Sequence, residues 1–287
     1  MKIVLSPNPF RDKGLKAAQS AARILNNAGV DTRICLPFST EGTDIKFPRQ
    51  VACCDMQKEL PDADILICFG GDGTILHAAK DANAFGIPIL GVNMGSVGFM
   101  AEVEQSELSL LSKLAVGKYT VESRMMLTVE IRRDGKTVFS DLALNDAVIT
   151  KGAVARVVEM EVRSDKVPIT AFSGDGVIIS TPTGSTAYSM SAGGPIVEPT
   201  AENIIVTPIC PHVVNARSFV LDHRRAVTVR MRCMSRKTAY LLVDGGKAFK
   251  LNGGDIMHIR QADTKTNLVR LTGRSFYEII TQKLGRM

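Results

Sequence analysis

The reading of this chain turns on CFGGDGTILHAA, Cys68–Ala79. Ile65, Leu66 and Ile67 lead into it as a continuous apolar run, the pattern of a strand buried on both faces. Beyond it, Ile75, Leu76, Ala78 and Ala79 restore helical spacing. A strand that ends in a glycine turn and opens a helix leaves backbone N–H groups pointing outward, which makes a place for an anion. Gly70, Gly71 and Gly73 carry no Cβ to block its approach, and with Thr74 they make up the predicted phosphate loop. Two common loops are excluded. The third glycine of the dinucleotide fingerprint would fall at Leu76, and the Lys-Ser/Thr ending of a Walker loop is absent. Asp72 is the odd member, because a carboxylate among such amides repels a phosphate. It is either a cap accepting from the N–H of Thr74 or Ile75, or a general base beside a transferring phosphoryl group, with Mg²⁺ offsetting the repulsion.

Outward from the loop, the chain divides by periodicity. From Met1 to about Val116, short apolar runs alternate with helical segments. Strands are expected at Lys2 to Leu5, Asp31 to Leu36, Asp64 to Phe69 and Gly86 to Val92. A helix with Leu15, Ala18, Ala21, Ala22 and Leu25 on one face should stop at Gly29. Such alternation predicts an α/β domain, a parallel sheet with flanking helices. After Tyr119 the period becomes two. Asp134-Gly135 marks a hairpin, and YLLVDGGKAFKLNGGDIMHIR, Tyr240 to Arg260, predicts two more. Further strands are expected at Val157 to Val162, Val177 to Ser180 and Ala226 to Arg232, giving an all-β, sandwich-like C-terminal domain. Ser275 to Leu284 returns to helical spacing and is expected to pack back on the first domain. The expected domains are residues 1–117 with 265–287 returning, and residues 118–264.

Composition narrows the function. The 287 residues hold no apolar run near the ~18 that a membrane helix needs, and MKIVLSPNPF is too short in apolar residues for a signal peptide. The six cysteines (Cys35, Cys53, Cys54, Cys68, Cys210, Cys233) form no metal-ligand spacing and read as reduced thiols of a cytoplasmic protein. A net charge of +6 favours an anionic partner. The densest basic run, Arg230, Arg232, Arg236 and Lys237, alternates like the solvated face of a strand and has no aromatic interleaving. With no Trp and no recognition module, nucleic acid gives way to a small charged ligand.

Three more segments carry chemistry. GVNMGSVGF, Gly91–Phe99, is a second glycine turn at a strand end. Asn145-Asp146 in ALNDAVIT offers donor and acceptor groups suited to a ribose diol or an amide, or else a plain turn. In SGDGVIISTPTGSTAYSMSAGGPI, Ser173–Ile196, a strand runs directly into Thr181, Thr183, Ser185, Thr186, Tyr188, Ser189 and Ser191. A flexible linker of that composition does not begin from an apolar strand.

GGDGT at 70–74, NMGSVGFMAE at 93–102, LNDAVI at 144–149, DGVIISTPTGSTAYSMSAGGPI at 175–196 and TPICPH at 207–212 together resemble the bacterial NAD kinase family. GGDGT alone is shared in similar form with lipid kinases and phosphofructokinases; the TPTGSTAYSMSAGGP block is far more specific. The resemblance implies phosphorylation of the 2′-hydroxyl of the adenosine ribose of NAD, with ATP or polyphosphate as donor, to give NADP. It implies that Asp72 is the catalytic base and that Asp72 and Gly73 touch the dinucleotide. Asn145 and Asp146 would hold the nicotinamide-side ribose and amide. Arg156, Asp175, Thr186, Ala187, Tyr188, Ser189, Met190 and Ser191 would line the rest of the NAD site. His77 occupies a position that sometimes contacts substrate; a lone His on a helix is otherwise a satisfied surface residue. A divalent ion, Mg²⁺, would come with the nucleotide phosphates, with no protein metal site, and a homodimer or homotetramer is implied. The chain departs from the family at Ser173, where Arg is frequent, and at Gly246, where Gln is frequent. The competing expectations are a lipid kinase, which needs an apolar cleft, and a non-catalytic dinucleotide sensor, which needs no Asp72.

Overall fold

The computed structural model describes residues 1–38, 52–95, 98–152, 156–213, 215–232 and 238–285. Cys233, Arg236, Lys237 and, in the second glycine turn, Ser96 and Val97 lie outside the described residues. Two compact units form, Met1–Ser123 with Thr266–Met287, and Arg124–Lys265.

The first unit is built on a parallel sheet in the order Asp31–Ile34, Lys2–Pro7, Ile65–Gly70, Ile89–Asn93. Ile65, Leu66, Ile67, Cys68 and Phe69 are all fully buried, as their unbroken apolar run requires. The helix Lys16–Asn27 turns Ala17, Ala18, Ala21 and Leu25 inward. Its start is fixed by Asp12, whose two carboxylate oxygens accept from the N–H groups of Ala17 and Ala18 at 2.9 Å each. Gly29, at φ 79°, ends it as the sequence suggests. Beyond Ile89–Asn93 the sheet gains the short strand Val103–Glu104 and, through a Leu268–Ile89 pairing, the end of the strand Ile256–Arg270. The final helix Phe276–Leu284 begins in a capping box between Ser275 and Glu278.

The buried carboxylate of Glu102 ties the second glycine turn to this late segment. It accepts from the N–H groups of Leu271 (2.8 Å) and Thr272 (2.5 Å), from Thr272 Oγ1 (2.6 Å) and from the Arg270 guanidinium (3.1 Å). Charge-assisted bonds at this depth are worth roughly twice neutral ones, so the turn is anchored firmly at one end.

The second unit is all-β in its main layers. One antiparallel sheet runs Phe219–Asp222, Asn203–Ile209, Gly176–Ser180, Asp146–Lys151, Ala239–Val243, Phe249–Leu251. The other contains Val167–Gly174, Val158–Ser164, Val227–Met231 and the first part of Ile256–Arg270. The hairpin Thr120–Arg133 and Lys136–Ala143 turns at Asp134-Gly135, both at positive φ, as the mirror-image two-residue turn demands. Leu127, Val129 and Ile131 share one core with Ile149, Val177, Ile179 and Val206, so the two sheets bury their inner faces against each other.

One expected hairpin is absent. Asp244-Gly245 does turn Ala239–Val243 back to pair with Phe249–Leu251. The LNGGD turn does not: Phe249–Leu251 belongs to one sheet and Ile256–Arg270 to the other. Asp255, almost fully buried, pins this crossover by accepting from Asn252 N–H at 2.8 Å and bidentately from the Arg133 guanidinium at 2.8 and 2.9 Å.

Candidate functional site

In the first unit the predicted loop closes the strand Ile65–Gly70 and opens the helix Asp72–Ala84. Gly71 and Gly73 line a cavity of about 260 Å³ with Asn8, Arg11, Thr74, Asn93, Met94 and Gly95. A Cβ at Gly71 or Gly73 would meet nothing within 4 Å, so these two leave the backbone open to a ligand. Gly70 does not serve that purpose. A Cβ there would lie 2.2 Å from Thr74 Oγ1, so this glycine exists to let the helix start pack on the strand end. Asn8 braces the same turn, donating from Nδ2 to Thr74 Oγ1 at 3.2 Å. Arg11 supplies a positive charge that the sequence patterns did not single out; its only signal was proximity to the first strand's end.

Asp72 does not cap its helix. The cap is Gly71, whose carbonyl accepts from the N–H of Thr74 (2.9 Å) and Ile75 (3.3 Å), with no side-chain bond. The Asp72 carboxylate instead reaches the second glycine turn, accepting from Phe99 N–H at 2.8 Å and Met100 N–H at 3.1 Å. Gly98 makes this possible, since a Cβ on it would stand 2.3 Å from an Asp72 oxygen. A carboxylate has about four acceptor positions, and two bonds fix its plane while leaving others for a substrate. Lys283 of the final helix completes the surroundings, its ammonium 3.8 Å above the Phe99 ring. Burial lowers the pKa of Lys283 while the Asp72 charge acts to raise it.

In the second unit, Asn145-Asp146 sits at the start of Asp146–Lys151 and is held by a residue missed in the sequence. Asp244 accepts from the N–H groups of Leu144, Asn145 and Asp146 at 2.8, 2.8 and 3.0 Å. Burial, and then the nearby Asp244 charge, push the Asp146 carboxyl up to about 7. The hydroxyl-rich segment packs directly on this pair. Thr181 N–H donates to Asn145 O at 2.9 Å and Thr181 Oγ1 to Leu144 O at 2.5 Å. A Cβ on Gly184 would lie 2.1 Å from Asn145 O, so only glycine allows this approach.

Thr183–Thr186 forms a tight helical turn and Tyr188–Ser191 a short helix, joined by a bend at Ala187. Thr186 and Ser189 are buried, and Ser189 Oγ is bonded to Thr207 Oγ1 at 2.9 Å. Tyr188 and Ser191 are exposed and Ala187 and Met190 half-buried, so Tyr188 and Ser191 are the outward members of the run. Asp175 is ion-paired with Lys151 at 2.6 Å, and Arg156 is exposed on the segment leading to Val158–Ser164. His77 is exposed one turn beyond Gly73, its ring edge-on to Phe38 at 6.0 Å.

Among the described residues, no three His, Cys, Asp or Glu side chains converge as metal ligands. The donors around the glycine cavity are glycine amides, Asn8 and Arg11, since Asn93 Nδ2 is spent on Gly95 O and the Glu104 carboxylate; the set fits anionic oxygens and suits a cation only when phosphates carry it in. Among the same residues, no helix is long and apolar enough to cross a membrane.

Two family models match the chain, the ATP-NAD kinase N-terminal domain over residues 15–119 and the ATP-NAD kinase C-terminal domain over residues 144–271. The chain belongs to the NAD kinase family. The NAD kinase of Acetivibrio thermocellus is 36% identical over 285 residues, covering 99% of this chain and 97% of that protein. The NAD kinase of Geobacter sulfurreducens is 45% identical over 223 residues, 77% of this chain and 78% of that protein. In fold, the chain is similar to yeast NADH kinase complexed with NADH, with a TM-score of 0.85 at 24% identity over 99% of this chain and 87% of that one. It is also similar to an NAD kinase from Archaeoglobus fulgidus in complex with ATP, with a TM-score of 0.75 at 23% identity over the whole of both chains. As an NAD kinase the protein is a phosphotransferase, and the lipid-kinase alternative falls.

Proposed function

We propose that the protein transfers the terminal phosphoryl group of ATP, or of polyphosphate, to the 2′-hydroxyl of the adenosine ribose of NAD, forming NADP. The observation that carries the reading is the Asp72 carboxylate, held in plane by two backbone N–H groups of a separate turn while its chain neighbours Gly71 and Gly73 line the cavity. A capping carboxylate would bond its own helix; this one is aimed elsewhere. In the proposed step the hydroxyl proton passes to an Asp72 oxygen as the O2′–P bond forms. The bond from the terminal phosphorus to its bridging oxygen breaks, and its electron pair leaves with ADP, or with the polyphosphate shortened by one phosphate. Gly71 and Gly73 present amides to the donor phosphates, and Arg11 adds charge. A divalent ion carried on those phosphates would neutralise part of their charge.

Asn145 and the Asp146 carboxyl are the proposed contacts for the nicotinamide-side ribose and amide, positioned by Asp244. Tyr188 and Ser191 are the outward side chains of their run, Ala187 and Met190 are half-buried, and Thr186 and Ser189 shape it from within. Arg156, Asp175, Gly73 and His77 complete the proposed NAD contacts. Family resemblance supports a homodimer or homotetramer. The test is to incubate pure protein with Mg²⁺, NAD and each donor, reading NADP with an NADP-specific dehydrogenase. Formation of NADP with any of the donors upholds the reading; binding of NAD without NADP formation makes the protein a sensor instead.

A further inference from the structure

The glycine cavity, at about 260 Å³, is smaller than the roughly 300–1,000 Å³ of sites that enclose a whole drug-sized ligand. It has room for phosphates, and the base of a nucleotide donor must lie outside it. The turn that supplies two of its lining residues, Asn8 and Arg11, also carries one ring of an aromatic pair that no step of the reaction above uses. Phe10 and Phe38 stack at 5.8 Å between centroids with their planes 25° apart, and His77 meets Phe38 edge-on. Phe10 is 55% exposed, so the stacked pair keeps aromatic surface open to solvent.

The chain on either side of Phe10 is part of the cavity wall. Phe10 lies between the lining residues Asn8 and Arg11, and its N–H donates to Asn8 Oδ1 at 3.0 Å. Asn8 in turn donates to Thr74 Oγ1, so the turn bearing Phe10 is fastened to the glycine loop. His77 follows Gly73 by one helical turn, on the same side of its helix.

We infer that Phe10 and Phe38 form a stacking shelf for the aromatic base of the phosphoryl donor. The inference rests on reading the glycine cavity as the donor-phosphate site. A base has a π-face whatever its identity, so the shelf favours any nucleoside triphosphate over a donor without a base. The rings are already stacked on each other, so little side-chain freedom is lost on binding. Arg11, next in sequence to Phe10, lines the cavity and offers a positive charge to phosphates bound there.

The experiment compares the wild-type protein with Phe10→Ala and Phe10→Leu, each checked for an unchanged melting transition. Binding of the fluorescent base analogue 1,N6-ethenoadenosine triphosphate is read by its quenching, and inorganic tripolyphosphate is titrated as competitor. Expected are a loss of affinity for the analogue on the order of tenfold in both variants, with tripolyphosphate affinity unchanged. In turnover, KM for ATP rises by a similar factor while KM for NAD holds. Unchanged analogue binding, an equal loss for tripolyphosphate, or a rise confined to KM for NAD would each overturn the shelf. Protein that forms NADP but shows one of those results keeps its kinase function and loses the shelf. Protein that quenches the analogue through Phe10 yet never forms NADP keeps the shelf and loses the kinase.

Discussion

The glycine loop of the first unit and the hydroxyl-rich segment of the second share a composition, small and polar, and are built on opposite plans. At Gly71 and Gly73 the backbone faces open space. Along Thr181–Ser191 the hydroxyls are mostly spent indoors: Thr181 on Leu144 O, Ser185 on both backbone groups of Val197, Ser189 on Thr207. The first region keeps its polar groups for a ligand. The second consumes them to hold a shape, and what it presents outward is Tyr188 and Ser191. Polar composition therefore marks both a binding surface and its scaffold, and only the bond partners separate the two.

The contrast can be broken at Asp72 first. Asp72→Asn should lower turnover on the order of 10²–10⁴-fold and leave NAD affinity within a few-fold, because a general base acts in the transition state and not in binding. Steady-state NADP formation beside calorimetric NAD binding checks this, and near-normal turnover would return Asp72 to a structural role. Next comes Gly98→Ala. The new methyl would displace the carboxylate without disturbing the packed sheet, so turnover should fall about 100-fold while the melting temperature moves little. A variant that unfolds instead, with normal turnover in its folded fraction, would show the contact to be only architectural.

The pH dependence of NAD binding tests the second region. Asp146, raised to about 7, keeps its proton in the folded, ligand-free protein where an unfolded Asp loses it near ~4. Its stabilising contribution is full below the unfolded value and is lost as pH rises through about 7. An amide donor prefers the charged acceptor, so NAD affinity should weaken about fivefold from pH 8 to pH 6. Titration in buffers of differing ionisation heat should show proton release near neutrality. Asp146→Asn should give a flat profile, and a flat wild-type profile would remove Asp146 from the NAD contacts. Smallest is Ser189→Ala, which should cost about 1 kcal/mol of stability in a denaturant titration and leave KM for NAD within twofold. A large KM effect there would turn the supposed scaffold into a contact.

Much of the fold and of the site is legible along the chain, and what is not legible shares one cause. The apolar run Ile65–Ile67, the alanine face of the first helix and the Asp134-Gly135 turn each report on neighbours a few residues away. Asp72 is legible as an anomaly, but its partners Phe99 and Met100 lie 27 and 28 residues on, and nothing local announces them. Asp244 acts on backbone up to 100 residues earlier, and its VDGG setting reads only as a turn. LNGGD misleads for the same reason. Its glycines specify a reversal of direction, whereas the Arg133–Asp255 pair decides which sheet receives the next strand. Gly70 misleads because an absent Cβ is the same in sequence whether it makes way for a ligand or for Thr74.

The discontinuity of the first unit has a consequence during synthesis. The ribosome releases the glycine loop early, but Leu268, which borders Ile89, and the Glu102 partners Leu271 and Thr272 emerge only after the entire second unit. Until then Phe99 and Met100 belong to a turn whose anchor has not been made, and Lys283 has yet to cover it. A nascent chain thus carries its proposed base long before the segments that anchor its aim have been made.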